Sequence, residues 1–308
     1  MSSMAFKANE MLASAIRSGR AFHAFFISCP DQELGASIVR RAAVLACLGD
    51  EEPSRLFSYP DYHELHGDKL TVGEVRGIVE ELSRSAFVGG WRAIVILSAH
   101  AMPKDAQNAL LKSVEEPPSS TLFLFTGNAA GVLPTILSRC CVVRVGLPGR
   151  EAVCHALTEQ GASPAEGALY AAMSGGSLDR GRRLYQEEAF RELRLLSQNA
   201  LISLLGGKLP AASTKPLARA GAGDALAFQL SFLRDMLLLR TGEAVQENPD
   251  RRGELTQLAP RFTIGRILCM IEWIVKATEE LYLAEGGELY PAAVLDGLFL
   301  RISEEIKP

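Results

Sequence analysis

The sequence predicts a parallel α/β sheet covered on both faces, followed by an all-helical remainder. Three observations carry this. Short apolar runs alternate with segments of helical apolar spacing up to about Val145. Those runs, FHAFFIS (22–28), RAIVIL (92–97) and TLFLFT (121–126), are apolar nearly throughout, as strands buried on both faces are. After Gly146 the pattern changes, and from residue 189 onward Leu, Ile and Phe recur at helical spacing with no convincing strand between them.

Residues 4–18 read as a helix that breaks at Gly19-Arg20, before the first strand at 22–28. Residues 32–47 are helical, with Leu34, Ile38, Ala42 and Leu45 on one face. A polar, proline-bearing loop (51–60) leads to a short strand at 61–65. In 71–84, Thr71 and Glu74 have the spacing of a capping box, and Val75, Ile78, Val79 and Leu82 form the apolar stripe behind it. The strand 92–97 is followed by a helix, 104–116, stopped by Pro117-Pro118, and then by the strand 121–126. Residues 136–145 hold a short turn and the strand-like run CVVRV. Three short helices (150–160, 164–174, 178–188) and four longer ones (191–205, 225–239, 264–283, 290–306) complete the chain, with loops at 206–223 and 241–252. The implied domains are 1–148, 149–188 and 189–308.

With 308 residues, 48% hydrophobic and 22% charged, the chain has apolar material for more than one core. Its net charge of −4 argues against nucleic-acid binding by bulk charge; DNA contact requires a local basic patch or a partner. No run of 18 apolar residues exists, and Met1 to Glu10 has no basic stretch leading into an apolar core. The expectation is a cytoplasmic chain without membrane contact. The six cysteines, Cys29, Cys47, Cys140, Cys141, Cys154 and Cys269, form no C-x-x-C pair, so reduced thiols in or near cores are expected rather than a metal site or disulfides.

A phosphate-binding loop belongs after the first strand of such a sheet and needs G-x-x-x-x-G-K-[ST]. Here the strand runs into Cys29-Pro30-Asp31-Gln32-Glu33-Leu34-Gly35-Ala36-Ser37, with one glycine, no lysine and two carboxylates that oppose a triphosphate. A nucleotide hydrolase also places acidic residues after the strand 92–97; Ser98-Ala99-His100-Ala101 stands there instead, and His100 reads as a satisfied surface or capping residue. His63-Glu64-Leu65-His66 spaces its histidines at i and i+3 on a strand, which is not the H-E-x-x-H zinc pattern. Arg84, Arg92 and Lys104 can be phosphate contacts, but a solvated face is the preferred reading.

By pattern alone, residues 102–118 (MPKDAQNALLKSVEEPP) are an amphipathic helix ending at a proline pair, and Ser138-Arg139-Cys140 is a turn leading into a strand. The run from Asn108 to Pro118, together with Leu137-Ser138-Arg139-Cys140 and the FHAFFI strand, resembles the bacterial DNA polymerase III clamp-loader subunits, gamma/tau and delta prime. The resemblance is clear over 4–145; Ser174-Gly175-Gly176-Ser177-Leu178-Asp179-Arg180 is similar to the family's lid less specifically, and the C-terminal helices match only in length and character.

The resemblance implies an AAA+ P-loop-type module, a small helical lid and an all-α collar that assembles with related subunits. Gamma/tau keeps the phosphate loop and hydrolyses ATP; a chain lacking it while keeping Ser-Arg-Cys is similar to the delta prime branch. In that branch Arg139 reaches a neighbouring subunit's ATP in trans, with Ser138 and Cys140 in supporting roles. Arginine suits this because it stays charged and offers a planar fork of donors. Thr126 and Asn128 occupy the place of the family's nucleotide-sensing residue. The implied partners are gamma/tau and delta subunits, transiently the sliding clamp, and primed DNA through the assembly. No cofactor is expected. Where the family carries a four-cysteine zinc group, only Cys47 remains, so no zinc and a rebuilt loop over 49–62 are expected. A gamma/tau-like ATPase and an adaptor outside replication are the alternatives.

Overall fold

The computed structural model describes residues 3–18, 23–49, 53–82, 91–118, 120–208, 214–284 and 291–306. The chain divides into two compact units, Met1–Pro148 and Gly149–Pro308, each described here by itself.

The first unit is built on five parallel strands: β1 (Ala24–Ser28), β2 (Tyr62–His66), β3 (Arg92–Leu97), β4 (Thr121–Gly127) and β5 (Cys141–Arg144). Their order across the sheet is β2-β3-β4-β1-β5. Every residue of β3 and β4 is buried, which is why their sequences carry no polar alternation. The two faces nonetheless separate by parity. Phe25, Ile27, Val95, Leu97, Leu122 and Leu124 pack with helices α1 (Ser3–Arg17) and α2 (Gln32–Leu48). Phe26, Ile94, Ile96, Phe123 and Phe125 pack with α3 (Val72–Leu82), α4 (Lys104–Glu115) and α5 (Pro134–Leu137). The capping box expected for α3 is formed: the Glu74 carboxylate accepts from Thr71 N at 2.8 Å, and Glu74 N donates to Thr71 Oγ1 at 3.3 Å. Arg84 lies outside the described residues.

Within the expected loop 51–60, Pro53–Ser58 winds into a 3₁₀ turn that buries Leu56. Beside it, Arg40 donates to Glu64 at 2.6 and 2.8 Å, the Tyr62 hydroxyl also bonds Glu64, and the Phe57 and Tyr62 rings meet edge to face at 5.8 Å. The Cys47 thiol donates to the Trp91 carbonyl at 3.5 Å, and burial pushes its pKa up to about 12.

In the second unit, α6 (Arg150–Glu159), α7 (Pro164–Met173) and α8 (Leu178–Gln186) close on a small core of Val153, Leu157, Ala162 and Ala171. A larger core, including Leu201, Phe228, Phe232, Ile267, Ile274 and Leu298, is shared by α9 (Glu188–Leu205), α10 (Thr214–Thr241), α12 (Ile264–Ala284) and α13 (Pro291–Glu305). One sequence expectation fails here and another holds with added structure. The loop expected over 206–223 gives way to helix from Thr214, kinked at Gly221 where φ is 136°. Glycine-rich composition argued for a loop, but burial of Leu217 and Ala222 against the bundle outweighs weak propensity. The loop expected over 241–252 is tightly held and runs into a short helix, α11 (Arg252–Leu258). The buried Asp235 carboxylate accepts from the backbone N–H groups of Gln246, Glu247 and Asn248 at 2.8, 3.0 and 2.8 Å. Arg194 adds a two-pronged pair with Asp250 at 2.7 and 2.8 Å. Such long-range partners have no local sequence signature.

Candidate functional site

The turn from β1 into α2 is where a phosphate would meet a helix N-terminus. Asp31 is completely buried there and is the N-cap of α2; its carboxylate accepts from Leu34 N at 2.8 Å. An internal anion thus occupies one of the donors that a bound phosphate would use. Cys29 is buried beside it, and burial pushes its thiol pKa up to about 11.

The end of β3 is closed in a similar way. Ser98 N donates to Thr126 Oγ1 at 3.1 Å, and Asn128 N donates to His100 Nδ1 at 3.3 Å. Asn128 Oδ1 in turn accepts from Ala130 N at 3.0 Å, so Thr126 and Asn128, which the family resemblance sets in a nucleotide-sensing position, are both engaged by their own chain. Gly127, at φ 141°, lets the backbone pass His100: a Cβ there would collide with the ring and lie 3.3 Å from Ala99 N. Burial holds the His100 pKa below the usual range, in keeping with a neutral ring that accepts a hydrogen bond.

Helix α4 links this end of the sheet to the arginine turn. Gln107, buried on α4, donates from Nε2 to Met102 O at 3.0 Å and to Gly131 O at 3.2 Å. Its Oε1 accepts from Leu133 N at 2.8 Å. One amide therefore ties α4 both to the segment after β3 and to the segment that enters α5. In the sequence it reads as one more polar residue of an amphipathic helix; its position on the buried face was the available signal.

Pro134 starts α5 and Ser138 caps its end, with Arg139 N and Cys140 N donating to Ile136 O and Leu137 O at 3.0 and 3.2 Å. The Thr135 carbonyl accepts from Ser138 Oγ at 3.1 Å and from Arg139 Nη1 at 2.9 Å. Ser138 thus shares an acceptor with the guanidinium rather than bonding to it. Arg139 Nη2 pairs with Glu115 Oε1 at 2.8 Å, with side-chain exposures of 31% and 55%. A pair this exposed is worth about 0–1 kcal/mol and exchanges easily. Arg139 Nε has no hydrogen-bond partner among the described residues. Cys140 packs against the α4 and α5 core, and burial pushes its thiol pKa up to about 12, so it stays protonated.

The remaining candidate cations differ sharply. Arg92 is not on a solvated face. It is 4% exposed, its Nε lies 3.5 Å from the buried Asp61 carboxylate, and its Nη1 donates to Glu81 O at 3.3 Å. The preference for a solvated face is corrected there: Arg92 opens a strand whose every position is interior, and Asp61 compensates its charge. Lys104 is exposed at the start of α4. His63 and His66 lie three apart on β2, so they leave opposite faces of the sheet. Among the described residues no group of three or more His, Cys, Asp or Glu is placed to hold a metal, and no helix is long and apolar enough to cross a membrane.

In the second unit, Ile264, Leu268 and Val275 of α12 are 41%, 48% and 41% exposed at helical spacing, an apolar stripe outside the bundle core.

A sequence model of the family described as "DNA polymerase III, delta subunit" matches residues 5–147. The chain is 27% identical to the DNA polymerase III subunit delta' of Escherichia coli, over 97% of this chain and 94% of that one. It is 30% identical to the subunit delta' of Pseudomonas aeruginosa, over 79% of this chain and 78% of the relative. The subunit tau/gamma of Haemophilus influenzae is 28% identical over 42% of this chain and 21% of its own length. With a relative at 30% identity across more than three quarters of both sequences, the chain belongs to the family of bacterial DNA polymerase III delta prime subunits.

Proposed function

We propose that this clamp-loader subunit does not hydrolyse ATP itself, and that it donates Arg139 in trans to the ATP of a neighbouring gamma/tau-type subunit while the assembly loads the sliding clamp on primed DNA. One contrast supports the reading. Where a phosphate would bind this chain, the helix N-terminus is capped by the buried Asp31 carboxylate, and the turn has no lysine. At Arg139, by contrast, a guanidinium stands partly open to solvent on a hydrogen-bonded turn. Charge developing on a transferred phosphoryl group is stabilised by such a preorganised cation. Ser138 and Cys140 act through the turn, one by sharing the Thr135 carbonyl and the other by packing behind it. The gamma/tau and delta subunits are the partners this role requires, and the exposed stripe on α12 is the surface proposed to meet them. The cytoplasm is the compartment in which replication would use it.

The test is reconstitution with gamma/tau and delta subunits. Arg139→Ala should assemble normally and depress DNA-stimulated ATP hydrolysis; the site it serves loses ~10³ in rate, and the total falls by that site's share. Arg139→Lys should rescue only in part, because an ammonium lacks the planar fork. Arg144→Ala, exposed on β5, should hydrolyse at nearly the parent rate. An Arg139→Ala assembly that hydrolyses ATP and loads clamps at the parent rate would overturn the proposal.

A further inference from the structure

Resting on the trans role of Arg139, we infer that Glu115 is its positioning residue: the Glu115 carboxylate holds the guanidinium against the end of α4 until a phosphate on the neighbour displaces it. Glu115 is the last residue of α4, and its place is set by the non-helical Glu116 and the proline pair that follows. A carboxylate at a helix C-terminus faces the negative end of the helix dipole and gains nothing from it. What compensates it here is Arg139, at 2.8 Å.

The guanidinium is held from two sides, by Glu115 on Nη2 and by the Thr135 carbonyl on Nη1. The backbone contact fixes where the side chain lies, and the carboxylate takes up the face that a second anion would need. Carboxylate and phosphate compete for the same guanidinium fork. At this exposure the carboxylate is a weak competitor, so a nucleotide polyphosphate can replace it, while a lone monoanion gains little. Glu115 therefore keeps Arg139 off stray anions in the unassembled chain and raises the ATP concentration at which the arginine engages. No bond is made or broken in this exchange; one ion pair replaces another.

The test uses Glu115→Gln, which keeps shape and removes charge, with Glu116→Gln, the exposed neighbour, as control. In the full-length unassembled chain, the ¹⁵N–¹H signals of the Arg139 guanidinium, assigned by their loss in Arg139→Lys, should show faster rotation in Glu115→Gln. In the reconstituted assembly, Glu115→Gln should lower the KM for ATP about twofold to fivefold with a smaller change in kcat, and the shift should vanish in an Arg139→Ala background. Unchanged guanidinium signals, an unchanged KM, or a fall in kcat at higher KM would each overturn the inference. If Arg139→Ala leaves hydrolysis at the parent rate, the trans role itself falls and this inference falls with it. If Arg139→Ala depresses hydrolysis while Glu115→Gln behaves like Glu116→Gln, only the positioning role falls.

Discussion

On one side of the first unit's sheet, where β2 and β3 begin, Arg92 meets Asp61 in the interior; on the other, just before β5, Arg139 meets Glu115 at the surface. The interior pair is the longer, at 3.5 Å against 2.8 Å, and it is the one shut away from water. Water decides the difference. Neither Arg92 nor Asp61 can recover hydration if its partner is removed, whereas Arg139 and Glu115 both can. A short ion pair at an accessible edge is therefore available for exchange, and a longer one in the core is committed to structure. Of the two arginines, Arg139 is the one that solvent reaches.

The comparison is broken most directly at the buried pair. Arg92→Ala should cost about 3–5 kcal/mol because it removes the cation beside a buried carboxylate, while Arg139→Ala should cost less than about 1 kcal/mol. Chemical denaturation monitored on the first unit measures both, and similar costs would mean that burial is not the deciding variable.

The link between the sheet and the open edge comes next. Gln107→Ala removes three hydrogen bonds at once and should destabilise by about 2–3 kcal/mol. Because it frees Gly131 and Leu133 from α4, it should also reduce hydrolysis by the reconstituted assembly even though it touches no charge. A variant that loses stability but hydrolyses ATP at the parent rate would show that the arginine turn holds its place without this tie.

A smaller effect than the Arg92 and Gln107 substitutions is expected where β1 leads into α2. Asp31→Ala should cost about 1 kcal/mol through loss of the N-cap. Calorimetric titration should still detect no ATP binding at micromolar concentration, because emptying the helix N-terminus supplies neither a glycine cradle nor a lysine. Micromolar binding by this variant would mean that the capping carboxylate alone separates the chain from a nucleotide-binding subunit.

Local chemistry settled much of this protein. Apolar runs such as RAIVIL and TLFLFT read as interior strands by length and composition, Pro117-Pro118 must end a helix, Thr71 and Glu74 have the spacing to cap one, and the turn after the first strand has one glycine and no lysine. Arg139 is singled out by the resemblance of Leu137-Ser138-Arg139-Cys140 to the clamp-loader family; by pattern alone it is an arginine at a turn. The tertiary structure decided what depends on distant partners. It buried Arg92 against Asp61 and turned Gln107 into the tie between α4 and two separate segments. In the second unit it wound a glycine-rich stretch into α10 and pinned 246–248 on Asp235. The physical reason is the same in each case. Propensity, capping and missing motifs act within a few residues along the chain, whereas the fate of a charge or an amide depends on whether water reaches it, and only the packed fold determines that.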